Sequence, residues 1–302
     1  MATILVSGLI NIETTLRVEH FPIHYVPVRY LFDEINSTVS GVGYNVAKAL
    51  RVLGDEVRLL SIIGKDPFAR WVVDELAKDG ISNAYILPNS DDTARSIILF
   101  DQEGKRQINL DLKEIQQLEY PSDIFDEAVK GCELVALCNI NFSRPMLKRA
   151  QTAGKIIATD VHTINDLDDE YNLDFMKAAN ILFMSDEALP LDPEAWIKEV
   201  ISAYGTDIIV VGMGKEGVLM SVKGDQFVGR FPALNVRPVK NTIGAGDALF
   251  SAFIHFFVRS RDPYHAIRKA ILFASYKIGA KSAAEGFLTA EKLEKMVNHY
   301  EI

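Results

Sequence analysis

Short apolar runs that alternate with longer helical patterns limit the fold of this 302-residue chain more than any other feature. The runs suit buried strands and lie at 4–7, 57–62, 134–137, 156–159, 181–184 and 208–211. The helical stretches between them lie at 46–53, 68–78, 145–153 and 193–204. This alternation predicts an α/β protein with a mainly parallel central sheet and helices on both of its faces.

The composition is that of a soluble globular protein. Apolar residues make up 48% and charged residues 24% of the chain. No run approaches about 18 uncharged apolar residues, so no membrane span is expected. Residues 1–6 have no basic segment and no cleavage pattern, so a cytoplasmic location is expected. The net charge of −9 argues against nucleic acid as a partner, because contacts with phosphates need a basic surface.

Two cysteines and one histidine are candidate reactive side chains outside the motifs. Cys132 and Cys138 flank an apolar strand without other ligand-type residues beside them, so they are predicted to be reduced structural thiols. His162 follows the predicted strand at 156–159, and a surface or capping role is favoured for it.

Residues 241–247 carry the most specific chemical signal. Gly244, Ala245 and Gly246 precede a long apolar helix pattern, so their N–H groups are expected to converge at a helix N-terminus that suits an anion. The carboxylate of Asp247 would repel a phosphate bound there. An acid at this place is useful if it accepts a proton from an attacking hydroxyl, which predicts Asp247 as a general base. An ordinary helix start is the alternative.

A second segment gives this motif its context. Residues 40–45 contain two glycines and an asparagine before a helix pattern, and residues 64–66 follow a predicted strand. With residues 242–247, these segments resemble the two signatures of the PfkB family, the ribokinase-like sugar and nucleoside kinases. The resemblance extends in order from 6–8 to 283–286. It implies a single ribokinase-like domain over 1–302, with three α/β/α layers and a small β-sheet lid.

Two segments interrupt the alternation, and the resemblance implies that they form the lid. Residues 26–32 are rich in aromatic and β-branched side chains within an irregular stretch at 14–39. Residues 95–100 and 106–110 flank a turn, which predicts a β-hairpin within 93–111. So small a sheet needs support for its apolar face. In the family such a lid covers the sugar site and often forms a dimer interface, so a homodimer is expected. Two ordinary surface hairpins are the alternative.

The resemblance also implies a substrate site built from Asn11, Glu13, Gly41, Gly43 and Asn45. Glu13 stands where the family usually has an aspartate, and its carboxylate can accept two hydroxyl hydrogen bonds. Asn11 matches a polar position of ribokinase-like members. Asn45 both donates and accepts, and the two glycines let a ring approach the backbone. Ser40 departs from the family, which usually has a glycine there.

Residues 212–217 match the pattern G-x-G-x-x-G after a predicted strand. A dinucleotide-binding loop has to open a helix, whereas residues 218–222 predict a second strand. The resemblance implies instead that ATP contacts this turn and the residue before the glycine motif, that is Gly212, Gly214, Gly217 and Thr242. A plain hairpin is the alternative.

The chain departs from the family at two positions that concern metal ions. Ribokinase-like members usually have an acid at position 241 that helps to hold a monovalent cation, so Asn241 predicts at most a weak requirement for such an ion. The family's Asn-x-x-Glu element, which organises Mg²⁺ and phosphate, is blurred at 183–187. Glu187 is the first candidate for its acid and Asp186 the second.

These observations predict an ATP- and Mg²⁺-dependent kinase that phosphorylates a primary hydroxyl of a sugar or sugar-like molecule. The near alternative is a nucleoside kinase, including a pseudouridine kinase, in which Tyr44 and Phe142 stack on the base. A non-catalytic small-molecule binder on a kinase fold is the third interpretation, because Ser40, Asn241 and residues 184–185 depart from the family. The intact motif at 244–247 argues against that third interpretation.

Overall fold

A central β-sheet organises the protein, whose computed structural model describes residues 2–300. The strands are β1 (Thr3–Ser7), β2 (Asn11–Arg17), β3 (Ile35–Ser40), β4 (Glu56–Gly64), β5 (Ile86–Ser90), β6 (Arg95–Phe100), β7 (Arg106–Asp111), β8 (Leu134–Leu137), β9 (Ile156–Thr163), β10 (Ile181–Ser185), β11 (Ile208–Gly212), β12 (Val218–Val222) and β13 (Phe227–Phe231). The helices are α1 (Val42–Leu53), α2 (Pro67–Lys78), α3 (Ser122–Ala128), α4 (Arg144–Thr152), α5 (Leu173–Ala178), α6 (Pro193–Tyr204), α7 (Ala245–Ser260), α8 (Pro263–Lys277) and α9 (Ala290–Tyr300). The predicted apolar runs and helical stretches are confirmed as strands and helices.

The large sheet has the strand order β13-β12-β11-β10-β9-β8-β1-β4-β5. All neighbouring pairs from β5 to β11 are parallel, and only the edge strands β12 and β13 join in antiparallel register. Strand β8 is buried at every residue, as expected for a parallel strand that helices cover on both sides.

Two hydrophobic cores lie on opposite faces of this sheet. In β10, Ile181 and Phe183 pack into the core beneath α1, α7 and α8, whereas Leu182 and Met184 pack into the core beneath α4 and α6. Successive strand residues point to opposite faces, so this division follows from the pleat. The predicted three-layer α/β/α arrangement is confirmed.

Three helices begin with the same local device. Asp66, Asp192 and Asp262 accept hydrogen bonds from the first N–H groups of α2, α6 and α8, and each is followed by proline at the first helical position. The aspartates satisfy donors without intrahelical partners, and proline has no N–H group that needs one.

A second, four-stranded sheet has the order β3-β2-β6-β7. Strands β6 and β7 are antiparallel, which confirms the predicted hairpin. Strand β2 begins at Asn11, three residues before the expected boundary at 14, and it therefore carries Asn11 and Glu13. Residues 26–32 form no strand, and Tyr30 and Phe32 are each 83% exposed in the loop between β2 and β3. Both rings are therefore largely in contact with solvent.

Both cysteines are buried, and the Cys132 thiol donates to the Ala128 carbonyl oxygen at 3.3 Å. Burial raises the pKa of both thiols, which disfavours the reactive thiolate. Over the described part of the chain, no helix has the combination of length and apolar character that a membrane crossing requires.

Candidate active site

The start of α7 forms a tight turn near the end of β9. Gly244 has a φ of 75°, and a Cβ there would lie 2.8 Å from the Ala283 carbonyl oxygen. Both facts require glycine at this position. The turn therefore brings the backbone of α7 against the segment after α8.

The first N–H groups of α7 divide into two sets. The Ala245 N–H donates to the Thr242 carbonyl oxygen at 3.1 Å, so this predicted anion donor is engaged within the turn. The intrahelical ladder begins with the bond from Ala248 N to Gly244 O at 3.0 Å. The N–H groups of Gly246 and Asp247 precede that ladder, which leaves them to an anion at the positive end of the helix dipole.

Asp247 is half-buried in the first turn of α7. Its Oδ2 accepts a hydrogen bond from Asn45 Nδ2 at 2.7 Å. Burial raises the pKa of the Asp247 carboxyl, and the Asn45 hydrogen bond and the nearby His162 act in the opposite direction. A carboxyl group with a raised pKa is a stronger proton acceptor once it is ionised, which suits a general base.

The glycines at 41 and 43 let the start of α1 pack closely against the backbone of residues 8–9. A Cβ at Gly41, whose φ is 101°, would lie 2.5 Å from the Leu9 carbonyl oxygen. A Cβ at Gly43 would lie 2.4 Å from the carbonyl carbon of Gly8. The close packing of α1 on residues 8–9 thus places Asn45 in the first turn of α1, within reach of Asp247.

Ser40 links two predicted substrate residues. Its hydroxyl lies 3.0 Å from Glu13 Oε2 and 3.2 Å from Asn45 Oδ1, and its one proton can be donated to either oxygen. In the sequence, Ser40 and Glu13 are separate departures from the family pattern. In the structure these two departures are coupled. The Ser40 hydroxyl, which a glycine would lack, hydrogen-bonds to the Glu13 carboxylate, which is one methylene longer than that of aspartate.

Two buried oxygens beside this link have no hydrogen-bond partner among the described residues: Glu13 Oε1 and Asn11 Oδ1. The Asn11 amide donates to Ser96 Oγ at 3.1 Å, which ties β2 to β6. Burial raises the pKa of Glu13, and the Ser40 hydrogen bond partly offsets that effect. Buried acceptors without partners are costly, so they mark a place where a ligand with hydroxyl groups gains most.

Lys277 is a site residue that sequence reasoning missed. It ends α8, it is fully buried, and its Nζ donates to the Ile243 carbonyl oxygen just before the α7 turn. The available signal was its position, since Lys277 continues the buried stripe of Ala266, Ala270 and Phe273 along α8.

Asp160 and His162 at the end of β9 lie close to the α7 turn. Asp160 Oδ1 accepts from His162 N at 2.8 Å, and a Cβ at Gly246 would lie 3.8 Å from Asp160 Oδ2. His162 has a positive φ of 60° and a partly exposed side chain. Both side chains act on the pKa of Asp247, in opposite directions.

Arg106 joins the small sheet to Thr242 and Glu187. From β7, its guanidinium donates to Thr242 Oγ1 at 3.2 Å and to Glu187 Oε1 at 3.3 Å. One side chain of the small sheet therefore reaches both the residue before the glycine turn and the first candidate for the Mg²⁺-organising acid. No sequence motif marked Arg106.

The turn at 212–217 closes a hairpin and opens no helix, because β11 and β12 pair in antiparallel register. This confirms the predicted second strand, so the turn lacks the helix that a dinucleotide-binding loop opens. A Cβ at Gly217 would lie 2.1 Å from the Phe231 carbonyl oxygen, so β13 itself requires that glycine. The Asp186 N–H donates to Gly212 O at 3.0 Å, which joins this turn to the end of β10.

Tyr44 and Phe142 do not line an accessible pocket, contrary to their suggested role in base stacking. Each is 1% exposed within the hydrophobic cores, and the Tyr44 hydroxyl hydrogen-bonds to Asp79. Lys48 Nζ lies over the Tyr44 ring, 5.5 Å from its centroid, and the Phe142 ring packs beside Tyr120, so neither ring is free to stack on a base.

Comparison with known proteins gives consistent results over nearly the full chain. The family model described as pfkB family carbohydrate kinase matches residues 1–290. A deoxyribokinase of Salmonella typhi is 26% identical over 270 residues, which cover 85% of this chain and 87% of that protein. A solved microbiome-derived acarbose kinase shares the fold with a TM-score of 0.88 at 24% identity, covering 98% of this chain and 99% of that one. A Burkholderia thailandensis nucleoside kinase, solved with inosine, has a TM-score of 0.80 at 17% identity, covering 99% of each chain.

Proposed function

Because the chain belongs to the pfkB family of carbohydrate kinases, we propose that it transfers the γ-phosphoryl group of ATP to a primary hydroxyl of a sugar or sugar-like molecule. One observation carries this proposal. The Asp247 carboxylate lies in the first turn of α7 and is bonded to Asn45, which contacts the Glu13–Ser40 pair. The Asp247 carboxylate, a proton acceptor, thus lies between a helix N-terminus that suits an anion and buried oxygens that suit substrate hydroxyl groups.

The reaction needs a base that acts during bond formation. An alcohol is too weak an acid for a carboxylate to deprotonate beforehand, so Asp247 accepts the proton as the acceptor oxygen bonds to the γ-phosphorus. The bond from that phosphorus to the β,γ-bridging oxygen breaks, and ADP leaves with the electron pair. The N–H groups of Gly246 and Asp247 and the helix dipole stabilise charge on the phosphoryl oxygens, and the turn through Gly244 and Ala245 holds these donors in place.

Substrate binding fits the acceptor-rich side of the site. Glu13 Oε1 and Asn11 Oδ1 accept from adjacent hydroxyl groups of the substrate, and Asn45 orients Asp247 towards the reacting hydroxyl. Gly41 and Gly43 contribute by seating α1 against residues 8–9. A substrate rich in hydroxyl groups is favoured because it supplies the donors that these buried oxygens lack.

ATP fits the other side of the α7 turn. Thr242 precedes the turn, and the hairpin turn with Gly212, Gly214 and Gly217 lies next to the end of β10. The positive φ values of Gly214 (54°) and Gly217 (101°) hold its backbone in a shape that favours glycine.

We expect Mg²⁺ to bind to this site together with the nucleotide. Within residues 2–300, no group of three or more ligand-type side chains forms a ready-made metal site. Glu187 is more than half exposed beside Arg106, and burial raises the pKa of the neighbouring Asp186. An ion that keeps most of its waters and binds ATP phosphates needs only one or two such carboxylates. When bound, it neutralises charge on the β- and γ-phosphates.

The four-stranded sheet is proposed to act as a lid, formed within 14–39 and 93–111 together with the start of β2. Arg106 already reaches Thr242 from β7, so closure of this sheet excludes water from the phosphate. The face of the sheet that points away from Glu13 carries Ile35 and Ile97, each more than half exposed. Burial of that apolar face favours a homodimer through the lid.

ATP dependence and buried reduced thiols favour the cytoplasm as the location of the protein.

A nucleoside remains the second substrate class, because the fold matches a nucleoside kinase over 99% of both chains. Intact Gly244–Asp247 geometry and the Asn45 contact favour catalysis over simple binding. The test is a screen for ATP consumption with sugars, deoxy sugars, sugar acids and nucleosides. We expect turnover with a hydroxyl-rich sugar. The absence of turnover with every acceptor would contradict the proposal, and turnover with nucleosides alone would reverse the order of the two classes.

A further inference from the structure

Lys277 places a positive charge inside the protein, next to the α7 turn. The side chain is 0% exposed, and its Nζ donates to the Ile243 carbonyl oxygen. A buried carbonyl oxygen needs a hydrogen-bond donor or a cation. Here the chain supplies both in one group, since an ammonium is at once a donor and a cation.

Asn241 supplies a second donor in the same turn. Its Nδ2 donates to the Lys281 carbonyl oxygen at 3.0 Å, and its Oδ1 accepts from Ile243 N at 2.7 Å. The side chain is neutral and fully engaged with the backbone. A monovalent cation held by an acid at this position, which the family resemblance implies, does not fit these residues. The Ile243 carbonyl oxygen already accepts from the Lys277 ammonium, and the Lys281 carbonyl oxygen accepts from the Asn241 amide. Position 241 itself carries no acid.

The groups that face Lys277 belong to four elements. Asp247 on α7, Glu13 on β2 and Glu285 after α8 stabilise its charge, whereas Arg106 on β7 opposes it. Burial lowers the pKa of Lys277 to about 8 in spite of the carboxylates. The lysine is therefore mainly protonated at neutral pH.

We infer that Lys277 is a positioning residue whose ammonium replaces a dissolved monovalent cation: it holds the Ile243 carbonyl and offsets the charges of Asp247 and Glu13. This inference rests on the proposed kinase function and deepens it. A charge that is part of the chain cannot dissociate, so the turn stays organised in every salt. The enzyme is then independent of K⁺.

The first test needs only the wild-type protein. KCl is titrated against choline chloride at fixed ionic strength, with the acceptor found in the screen. We expect kcat to change by less than about twofold, the size of an ordinary surface effect. A rise of about tenfold or more on adding K⁺ would overturn the inference, since it would show that a dissolved cation is still required.

The second test creates the space that a cation would need. Lys277→Ala removes the ammonium and should lower kcat about 10–150-fold in choline chloride, the size of a lost hydrogen bond to a charged group, with a smaller change in the KM for ATP. K⁺, NH₄⁺ or methylammonium should restore at least about a tenth of the wild-type kcat. Lys277→Met fills the space without charge, so those cations should not rescue it.

Lys269→Ala is the matched control. Lys269 is another buried lysine on α8, but it pairs with Glu294 and is away from the α7 turn. Its variant should show no rescue by small cations. A Lys277→Ala variant that is folded but keeps wild-type kcat in choline, or one that no small cation rescues, would overturn the inference.

A third readout does not depend on kinase activity. The thermal midpoint of Lys277→Ala should rise with K⁺ or NH₄⁺ relative to choline at the same ionic strength, because only a variant with an open site binds the ion. Wild type and Lys269→Ala should show no such difference. Equal responses in all three proteins would contradict the inference. If the wild type phosphorylates no acceptor, the proposed function fails, and this measurement still decides the role of Lys277. If Lys277→Ala does not fold, the wild-type titrations in both assays decide it.

Discussion

Glu13 offers a sharp test of substrate recognition. The side chain is 5% exposed, its Oε2 is bound by Ser40, and its Oε1 has no partner among the described residues. A substrate hydroxyl that donates to Oε1 forms a hydrogen bond to a charged group in a dry site. Such a bond contributes about 1.5–3 kcal/mol, so Glu13→Ala should lower kcat/KM for the substrate roughly 10–150-fold. The KM for ATP should remain nearly the same, because the proposed nucleotide site lies on the other side of the α7 turn.

The assay is a cycle of two proteins and two substrates. Wild type and Glu13→Ala are each measured with the full substrate and with an analogue that lacks the contacted hydroxyl. The variant should lose much less on the analogue. Thr14→Ala is the control for the sheet, because Thr14 is the next residue of β2 and bonds Ser37 on β3. Equal losses of Glu13→Ala on both substrates, or a similar loss in Thr14→Ala, would show that Glu13 supports the sheet and does not bind the substrate.

Three further outcomes follow from the site. In a pH profile, kcat/KM should rise with pH as Asp247 ionises, and this rise should lie above the ordinary aspartate pKa of 3.8 because burial raises the pKa of Asp247. On the alkaline side, kcat/KM should fall near pH 8 as Lys277 deprotonates. Over pH 8 to 10.5 the unfolded chain holds the proton that the folded lysine has lost, so the free energy of unfolding of the wild type should rise there relative to that of Lys277→Met, while activity falls; a fall of the wild type relative to Lys277→Met would contradict the assignment. Arg106→Met should lower kcat by about tenfold or more while leaving the thermal midpoint nearly unchanged, and unchanged turnover would exclude a role for Arg106 at the phosphate. Gly244→Ala should abolish measurable turnover and lower the thermal midpoint, since its Cβ would lie 2.8 Å from the Ala283 carbonyl oxygen; wild-type behaviour of this variant would show that the turn is not tight.

The parallel sheet could be predicted from the sequence because its strands are short, apolar and separated by helices. Local pattern also located Gly244–Asp247 and Asn45, since glycines before an apolar helix have a restricted set of structural uses. The hydrogen bond between Asn45 and Asp247 joins residues 202 positions apart, and only the family resemblance linked the two motifs beforehand.

Other parts of the site could not be predicted because they depend on contacts between distant segments. Ser40 looked like a weakened glycine motif until its hydroxyl was found between Glu13 and Asn45. No motif in the sequence marked Lys277, although its position on the apolar stripe of α8 was a usable signal. Residues 26–32 carry aromatic and β-branched side chains, yet they lie in the loop between β2 and β3 and form no strand.

Phosphoryl transfer by Asp247→Asn, compared with wild type in a single-turnover assay, tests the central claim most directly. The substitution keeps the shape of the side chain and its place beside Asn45 but removes the proton acceptor. ATP affinity, measured separately by calorimetry, should change little. We predict that the rate of phosphoryl transfer falls by roughly 10²–10⁴ or more, as is typical for loss of a general base. A variant that binds ATP normally and keeps more than about a tenth of the wild-type rate would contradict the account, because the base would then have to be another group.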